Sequence, residues 1–203
     1  NFEPEYEWLL EPGDMLYLPP MWGHDGVADG ECMTCSIGFR VPEAGELTRE
    51  VLMRCVEAME ADAKRVLYQD PKQPATLQPG LIPSQLQSFA TDAIQRFLSD
   101  PQQVYAALGE VLTEPKPRVW FEPGEPLPDG VGVVLDARTR MVYDDKRIFA
   151  NGESWRAGGA DARLMRTLAD CRCLDAKTVA KASPQARELL DQWSEDGWLH
   201  AKE

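Results

Sequence analysis

His24 is the side chain in this sequence best placed to do chemistry. It is one of two histidines, the other being His200. It follows the stretch Leu10-Glu11-Pro12-Gly13-Asp14-Met15-Leu16-Tyr17-Leu18-Pro19-Pro20-Met21-Trp22-Gly23. That stretch reads as a turn, a short apolar run and a double proline. A neutral imidazole held on stiff backbone loses little entropy on binding a metal, and it suits Fe, Zn, Cu or Ni. Spacing alone fits a surface or structural histidine as well, so the neighbourhood has to decide. The five cysteines are Cys32, Cys35, Cys55, Cys171 and Cys173. Cys32-Met33-Thr34-Cys35 has the spacing of a zinc knuckle, yet no second pair follows. On a strand, positions 32 and 35 would also face opposite sides. Cys171-Arg172-Cys173 has no partner cluster either. An odd cysteine count, with no apolar leader after Asn1-Phe2-Glu3-Pro4-Glu5, fits reduced cytoplasmic thiols.

The elements that must position these groups fall into segments. Residues 1–43 read as all-β. Glu11-Pro12-Gly13-Asp14 is turn chemistry, because proline presets φ and glycine accepts φ > 0. Met15 to Leu18 is then a short strand, and Pro19-Pro20 ends its pairing because proline has no N–H to donate. Asp29-Gly30 marks a further turn, and Cys32 to Arg40 alternates as a second strand closed by Pro42. Two strands cannot bury a core. We therefore expect them to be the last strands of a larger barrel, in a native protein that begins before Asn1.

Residues 44–115 read as helical. Leu47, Val51, Cys55, Met59, Ala63 and Val66 recur at helical spacing, widened by Leu52, Val56 and Leu67. Ser84 precedes a second stripe of Leu86, Phe89, Ala93, Ile94 and Phe97. Asp100-Pro101-Gln102-Gln103 is a start signal for a third helix, with a capping side chain and proline in the first turn. Val104, Leu108, Val111 and Leu112 line its apolar face. Such broad faces predict a compact bundle or an oligomer interface. Residues 116–130 are rich in proline and glycine and read as a linker.

Residues 131–203 read as strands and small helices. Val131 to Leu135 and Arg140 to Tyr143 are strand-like. Asn151-Gly152 between two short apolar runs predicts a tight hairpin. Asp161, Asp175 and Ser183-Pro184 are expected to open three helices, Gly197 to stop the last, and Trp198-Leu199-His200 to close as a strand. This order predicts a winged helix. The fold class is thus α+β: the last strands of a larger barrel, a helical region and a winged-helix domain.

Charge narrows the partners. The chain carries a net charge of -13, which argues against general affinity for nucleic acid. Residues 1–45 hold nine acidic side chains against Arg40 alone, a bias that can steer a cationic partner. Residues 136–203 hold twelve acidic and twelve basic side chains, with no basic cluster between Thr178 and Trp193. DNA binding by the winged helix is therefore not expected. The longest apolar runs are too short to cross a bilayer.

The block Leu10-Glu11-Pro12-Gly13-Asp14-x-Leu16-Tyr17-x-Pro19-Pro20-x-x-x-His24, followed by Ser36-Ile37-Gly38-Phe39-Arg40-x-Pro42, resembles the second half of the Jumonji-C domain of bacterial ribosomal oxygenases. Tyr143-x-Asp145 and Phe149-Ala150-Asn151-Gly152-Glu153 are similar to that family's C-terminal domain. The resemblance covers nearly the whole chain in the same order. It implies an Fe(II)- and 2-oxoglutarate-dependent dioxygenase that hydroxylates the β-carbon of an arginine in a basic large-subunit ribosomal protein, L-sixteen. Iron in such enzymes sits in a facial triad of two histidines and a carboxylate, with open positions for 2-oxoglutarate and dioxygen. By the same resemblance His24 is a metal ligand and Ser36 binds the distal carboxylate of 2-oxoglutarate. Thr34, Cys35 and Met21-Trp22-Gly23 depart from the family pattern, which bears on substrate fit. Trp22 can line the cleft, and Arg40 is expected to pair at the strand end. No His-x-Asp or His-x-Glu occurs in the chain. The other two ligands and the arginine for 2-oxoglutarate are therefore expected upstream, and this chain alone is expected to be inactive. The same resemblance implies that the first strands are the C-terminal strands of a cupin-like double-stranded β-helix, that the helical region forms a homodimer and that the location is cytoplasmic. The alternatives are a cupin-linked winged-helix regulator and a non-catalytic dimerising scaffold.

Overall fold

The computed structural model describes residues 3–39, 41–62, 66–71 and 73–202, with backbone only for residues 59–62. Arg40 and Ala63 lie outside the described residues, as does the side chain of Met59. The chain divides into two units, residues 1–47 and 48–203.

In the first unit the Glu11–Asp14 turn forms as its residues dictate. Asp14 N–H donates to the Glu11 carbonyl at 3.0 Å, Glu11 N–H donates to Asp14 Oδ2 at 2.9 Å, and Gly13 takes φ +102°. Gly30 likewise takes positive φ. Along the strands expected from Met15 to Leu18 and from Cys32 to Arg40, the described residues carry no ladder hydrogen bonds, and their apolar side chains are largely exposed. A ladder needs a partner strand, and the described residues supply none.

The second unit begins within α1 (Ala44–Asp62), whose residues from Thr48 onward belong to it, and continues through α2 (Ser84–Leu98) and α3 (Pro101–Thr113). The start signal for α3 is met: Pro101 occupies the first turn and the Asp100 carboxylate accepts from Gln102 N–H at 2.9 Å. The helices do not share one bundle core. Val51 and Cys55 of α1 are buried, and no residue of α2 is. Val66 and Leu67, expected to extend the first stripe, lie beyond the helix and are exposed. A helix without a packed face gains little from continuing. α3 buries Ala107, Gly109 and Thr113 rather than the larger side chains of its predicted stripe. These small residues let the helix lie on the sheet formed by β2 (Met141–Tyr143), β3 (Arg147–Ala150) and β4 (Glu153–Arg156). A Cβ at Gly109 would overlap the Phe149 ring. Thr113 Oγ1 accepts from Gly152 N–H at 3.1 Å, and Ser154 Oγ donates to Glu110 Oε1 at 2.6 Å. α3 is thus fastened to the β2–β3–β4 sheet.

The expected linker has no helix or strand, yet it is stitched down. Ser194 Oγ donates to the Glu125 carbonyl at 2.7 Å, Gly124 N–H to the Glu195 carbonyl at 2.9 Å, and Leu127 N–H to Asp191 Oδ1 at 3.2 Å. Beyond it β1 (Gly132–Leu135) is the centre of a second antiparallel sheet, between β5 (Cys173–Leu174) and β6 (Leu199–Lys202). Its register pairs Val134 with both Cys173 and His200. The Asn151-Gly152 hairpin forms as predicted, with both residues at positive φ. α5 (Ala176–Val179) and α6 (Pro184–Glu195) are capped by Asp175 and Ser183. Asp161 does not cap α4 (Gly159–Cys171): the cap position is Gly158. The Asp161 carboxylate instead accepts from Ser183 N–H and Oγ–H at 3.1 and 2.6 Å, which joins the starts of α4 and α6. The core gathers Val133, Leu135, Ile148, Leu164, Met165, Leu168, Leu190 and Leu199 around Trp193. Trp193 meets Trp155 at 5.1 Å and Trp198 at 6.2 Å between ring centroids.

α6 holds one basic residue, Arg187, against Glu188, Asp191 and Glu195. Arg187 already serves Asp191 and the carbonyls of Leu127 and Pro128. A helix of this charge does not favour a DNA groove.

Candidate functional site

His24 follows the Pro19-Pro20-Met21-Trp22 turn, in which Trp22 N–H donates to the Pro19 carbonyl at 3.3 Å and Met21 takes φ +69°. The His24 imidazole is exposed, with Nδ1 3.4 Å from the Trp22 carbonyl. That contact leaves Nε2 free to ligate. Ser36 is exposed and no hydrogen bond joins it to His24. Trp22 is half exposed. Among the described residues no group of three His, Cys, Asp or Glu side chains is arranged to hold a metal. His24 is therefore one donor, and a facial triad needs three. On the residues described, the chain does not complete an iron site.

The second histidine is engaged elsewhere. His200 Nε2 lies 3.1 Å from Asp136 Oδ2. The same carboxylate accepts from Arg138 Nε at 2.8 Å, Arg138 NH2 at 2.9 Å and Arg138 N–H at 2.8 Å. The Arg138 guanidinium, then its backbone N–H and the His200 ring, hold the Asp136 carboxyl far below the usual carboxylate range against the opposing effect of burial. The side chain is only 11% exposed. Because the folded value lies below the unfolded one, the stabilisation is present above pH ~4 and is lost as pH falls toward the folded value. Asp136→Asn is expected to cost about 1.5–3 kcal/mol at pH 7. Urea denaturation at pH 7 and pH 3 checks this: the difference between the variant and the parent shrinks at the lower pH.

Cys55 is buried on α1. Burial, with Glu110 nearby, pushes its thiol up, so it stays protonated and structural. Sequence reasoning gave Tyr143 and Asp145 only as part of a family-like block. The structure sets them beside Tyr105, Leu108 and Leu112 of α3 along one groove. The sequence signal was the half-apolar pattern of α3, which pointed to a buried face.

Residues 96–200 match the ROXA-like winged helix model and residues 1–47 match the JmjC domain model. The chain belongs to the ROXA-like winged helix family. It is 28% identical over 165 residues to the ribosomal protein uL16 3-hydroxylase of Escherichia coli strain K12, an alignment covering 75% of this chain and 43% of that protein. It is 24% identical over 223 aligned positions to a Haemophilus influenzae protein named "Probable ribosomal oxygenase", covering 94% of this chain and 54% of that protein. The chain thus spans about half the length of the curated relatives it matches. Among solved structures, E. coli YcfD superposes with a TM-score of 0.62 at 18% identity, over 82% of this chain and 46% of that one. A second YcfD structure, in complex with cobalt and 2-oxoglutarate, gives 0.62 over 82% and 48%. At that identity the likeness is one of fold. The resemblance to bacterial ribosomal oxygenases and the winged-helix fold are both met.

Proposed function

We propose that this chain is part of an Fe(II)- and 2-oxoglutarate-dependent oxygenase that hydroxylates an arginine β-carbon in the large-subunit ribosomal protein uL16. One observation carries the reading: a JmjC match over residues 1–47 and a ROXA-like winged helix over residues 96–200 stand in one chain. The name of the E. coli relative supports the substrate. His24 is the proposed iron ligand, through Nε2, and Ser36 the hydroxyl donor for the distal carboxylate of 2-oxoglutarate. When bound, iron would supply the oxidising chemistry. The described residues offer one of its three protein donors, so the reading requires two more donors beyond them. The acidic side chains of residues 1–45 suit a basic substrate. Cytoplasmic location belongs to the same proposal; among the described residues no helix is long and apolar enough to cross a membrane.

The test is mass spectrometry of arginine-containing uL16 peptides after incubation with the full-length gene product, Fe(II), 2-oxoglutarate and dioxygen. Expected is a mass gain of a single oxygen on arginine, lost in the His24→Ala protein and lowered about 10–100-fold in Ser36→Ala. Unchanged peptide mass with the parent protein overturns the reading.

We also assign a homodimer to the helical region. α2 buries none of its residues, and Leu86, Ile94 and Leu98 are exposed on it. Light scattering in solution should give the mass of two chains; the mass of one overturns the assignment.

A further inference from the structure

The sheet formed by β5, β1 and β6 holds a thiol and an amine in contact on its outer face. Val133, Leu135, Leu174 and Leu199 are buried, so they mark the face turned to the core. Side chains alternate along a strand, which sends Val134, Cys173, His200 and Lys202 to the other face. The register agrees. Cys173 stands opposite Val134, and Lys202 stands opposite Gly132. Cys173 and Lys202 therefore lie on the two outer strands, with β1 between them. The Lys202 stem crosses β1 until Nζ donates to Cys173 Sγ at 3.4 Å.

Ordinary pairing does not account for this contact. The chain holds 34 acidic side chains against 21 basic ones, yet Lys202 forms no ion pair among the described residues. Asp136, on the same face, is occupied by Arg138 and His200. A sulfur is only a weak acceptor, so the contact adds little to stability. What it does set up is reactivity, because a nucleophilic amine rests against an oxidisable sulfur. Cys173 is half-buried rather than enclosed like Cys55, so a small oxidant can reach it. Its backbone is held in place: it pairs with β1, and the Arg172 guanidinium donates to the carbonyls of Asp136 and Thr139 at 2.7 and 3.1 Å.

We propose that Cys173 and Lys202 form a peroxide-responsive pair that closes into a covalent sulfur–nitrogen link, a sulfenamide. The thiolate is the attacking form of a cysteine. Cys173 Sγ attacks one oxygen of hydrogen peroxide. An S–O bond forms, the O–O bond breaks, and the departing hydroxide takes up a proton as water. Sulfur is oxidised to a sulfenic acid and the peroxide is reduced. The Lys202 amine, its extra proton given to solvent, then attacks that sulfur. An S–N bond forms, the S–O bond breaks, and the leaving hydroxide removes one amine proton as a second water. No further oxidant is consumed, and excess thiol reduces the link back to thiol and amine. The closed form ties β5 to β6 across β1 and encloses α5 and α6 in one covalent loop. Such a loop restricts the unfolded chain as a disulfide does. The inference goes beyond the oxygenase reading and is independent of it, because neither iron nor 2-oxoglutarate takes part.

The test treats the metal-free full chain with hydrogen peroxide, blocks remaining thiols by alkylation, digests with trypsin and maps joined peptides by mass spectrometry. Peptide 173–177 should appear joined to peptide 188–203, at a mass about 2 Da below the sum of the two. Dithiothreitol should separate them. The joined species should persist in Cys171→Ser and vanish in Cys173→Ser and in Lys202→Arg, which keeps the charge and removes the amine. Peroxide should raise the melting temperature of the parent by about 5 °C or more and leave Lys202→Arg unmoved. Melts before oxidation confirm that each variant is folded. A Cys171–Cys173 disulfide in place of the joined peptide would overturn the proposal. So would Cys173 carried to sulfinic acid with Lys202 free, Cys173 left unoxidised, or a joined peptide that survives Lys202→Arg.

Discussion

Replacing Trp193 by alanine is expected to remove a large share of the stability of the winged-helix module. Trp193 is 1% exposed and packs against Trp155 and Trp198 in the centre of the core. Truncating a buried aromatic side chain removes its transfer free energy and leaves a cavity, at a cost of about 3–5 kcal/mol. A domain of this size is stable by only about 5–15 kcal/mol. The indole N–H of Trp193 is buried and has no hydrogen-bond partner among the described residues. Trp193→Phe therefore sacrifices no hydrogen bond and is expected to cost less than half as much as Trp193→Ala. Urea denaturation followed by circular dichroism compares the three proteins. Equal losses in both variants would show that the ring's volume is not what the core needs.

Gly197→Ala is expected to be nearly as damaging, for a different reason. Gly197 ends α6 at φ +73°, where a side chain is strained. A Cβ there would also strike the Glu122 carbonyl, because the segment from Glu122 to Leu127 is tied across the end of that helix. Left-handed strain costs about 1–3 kcal/mol and overpacking a similar amount, so a loss of about 2–5 kcal/mol is expected. The clash is with backbone, which cannot rotate away. Gly130 has φ +75° with open space around it, so Gly130→Ala feels the strain alone and should cost about 1–3 kcal/mol. Equal melting temperatures for the two variants would refute the role given to the Glu122 strap.

The sequence by itself determined the parts whose signals are local. The Asp100-Pro101 start, the Asp175 and Ser183 caps, the Asn151-Gly152 hairpin and the Gly197 stop all follow from side chains acting on their own backbone. The motif around His24 and its order with the C-terminal blocks identified the family for the same reason, since residue types in sequence are enough to show kinship. Partnership is not a local property, and there the tertiary structure decided. Asp161 looked like a cap and instead joins two helix starts, because Ser183 offers it two donors from a distant turn. Residues 116–130 looked like a free linker, and Ser194, Asp191 and Arg187 hold them down. α3 looked like a member of a helical bundle. Its small residues Ala107 and Gly109 instead let it settle on the β2–β3–β4 sheet, which turns its larger side chains into a groove wall. Periodicity marks which positions share a face; only the packing of distant segments decides what that face meets.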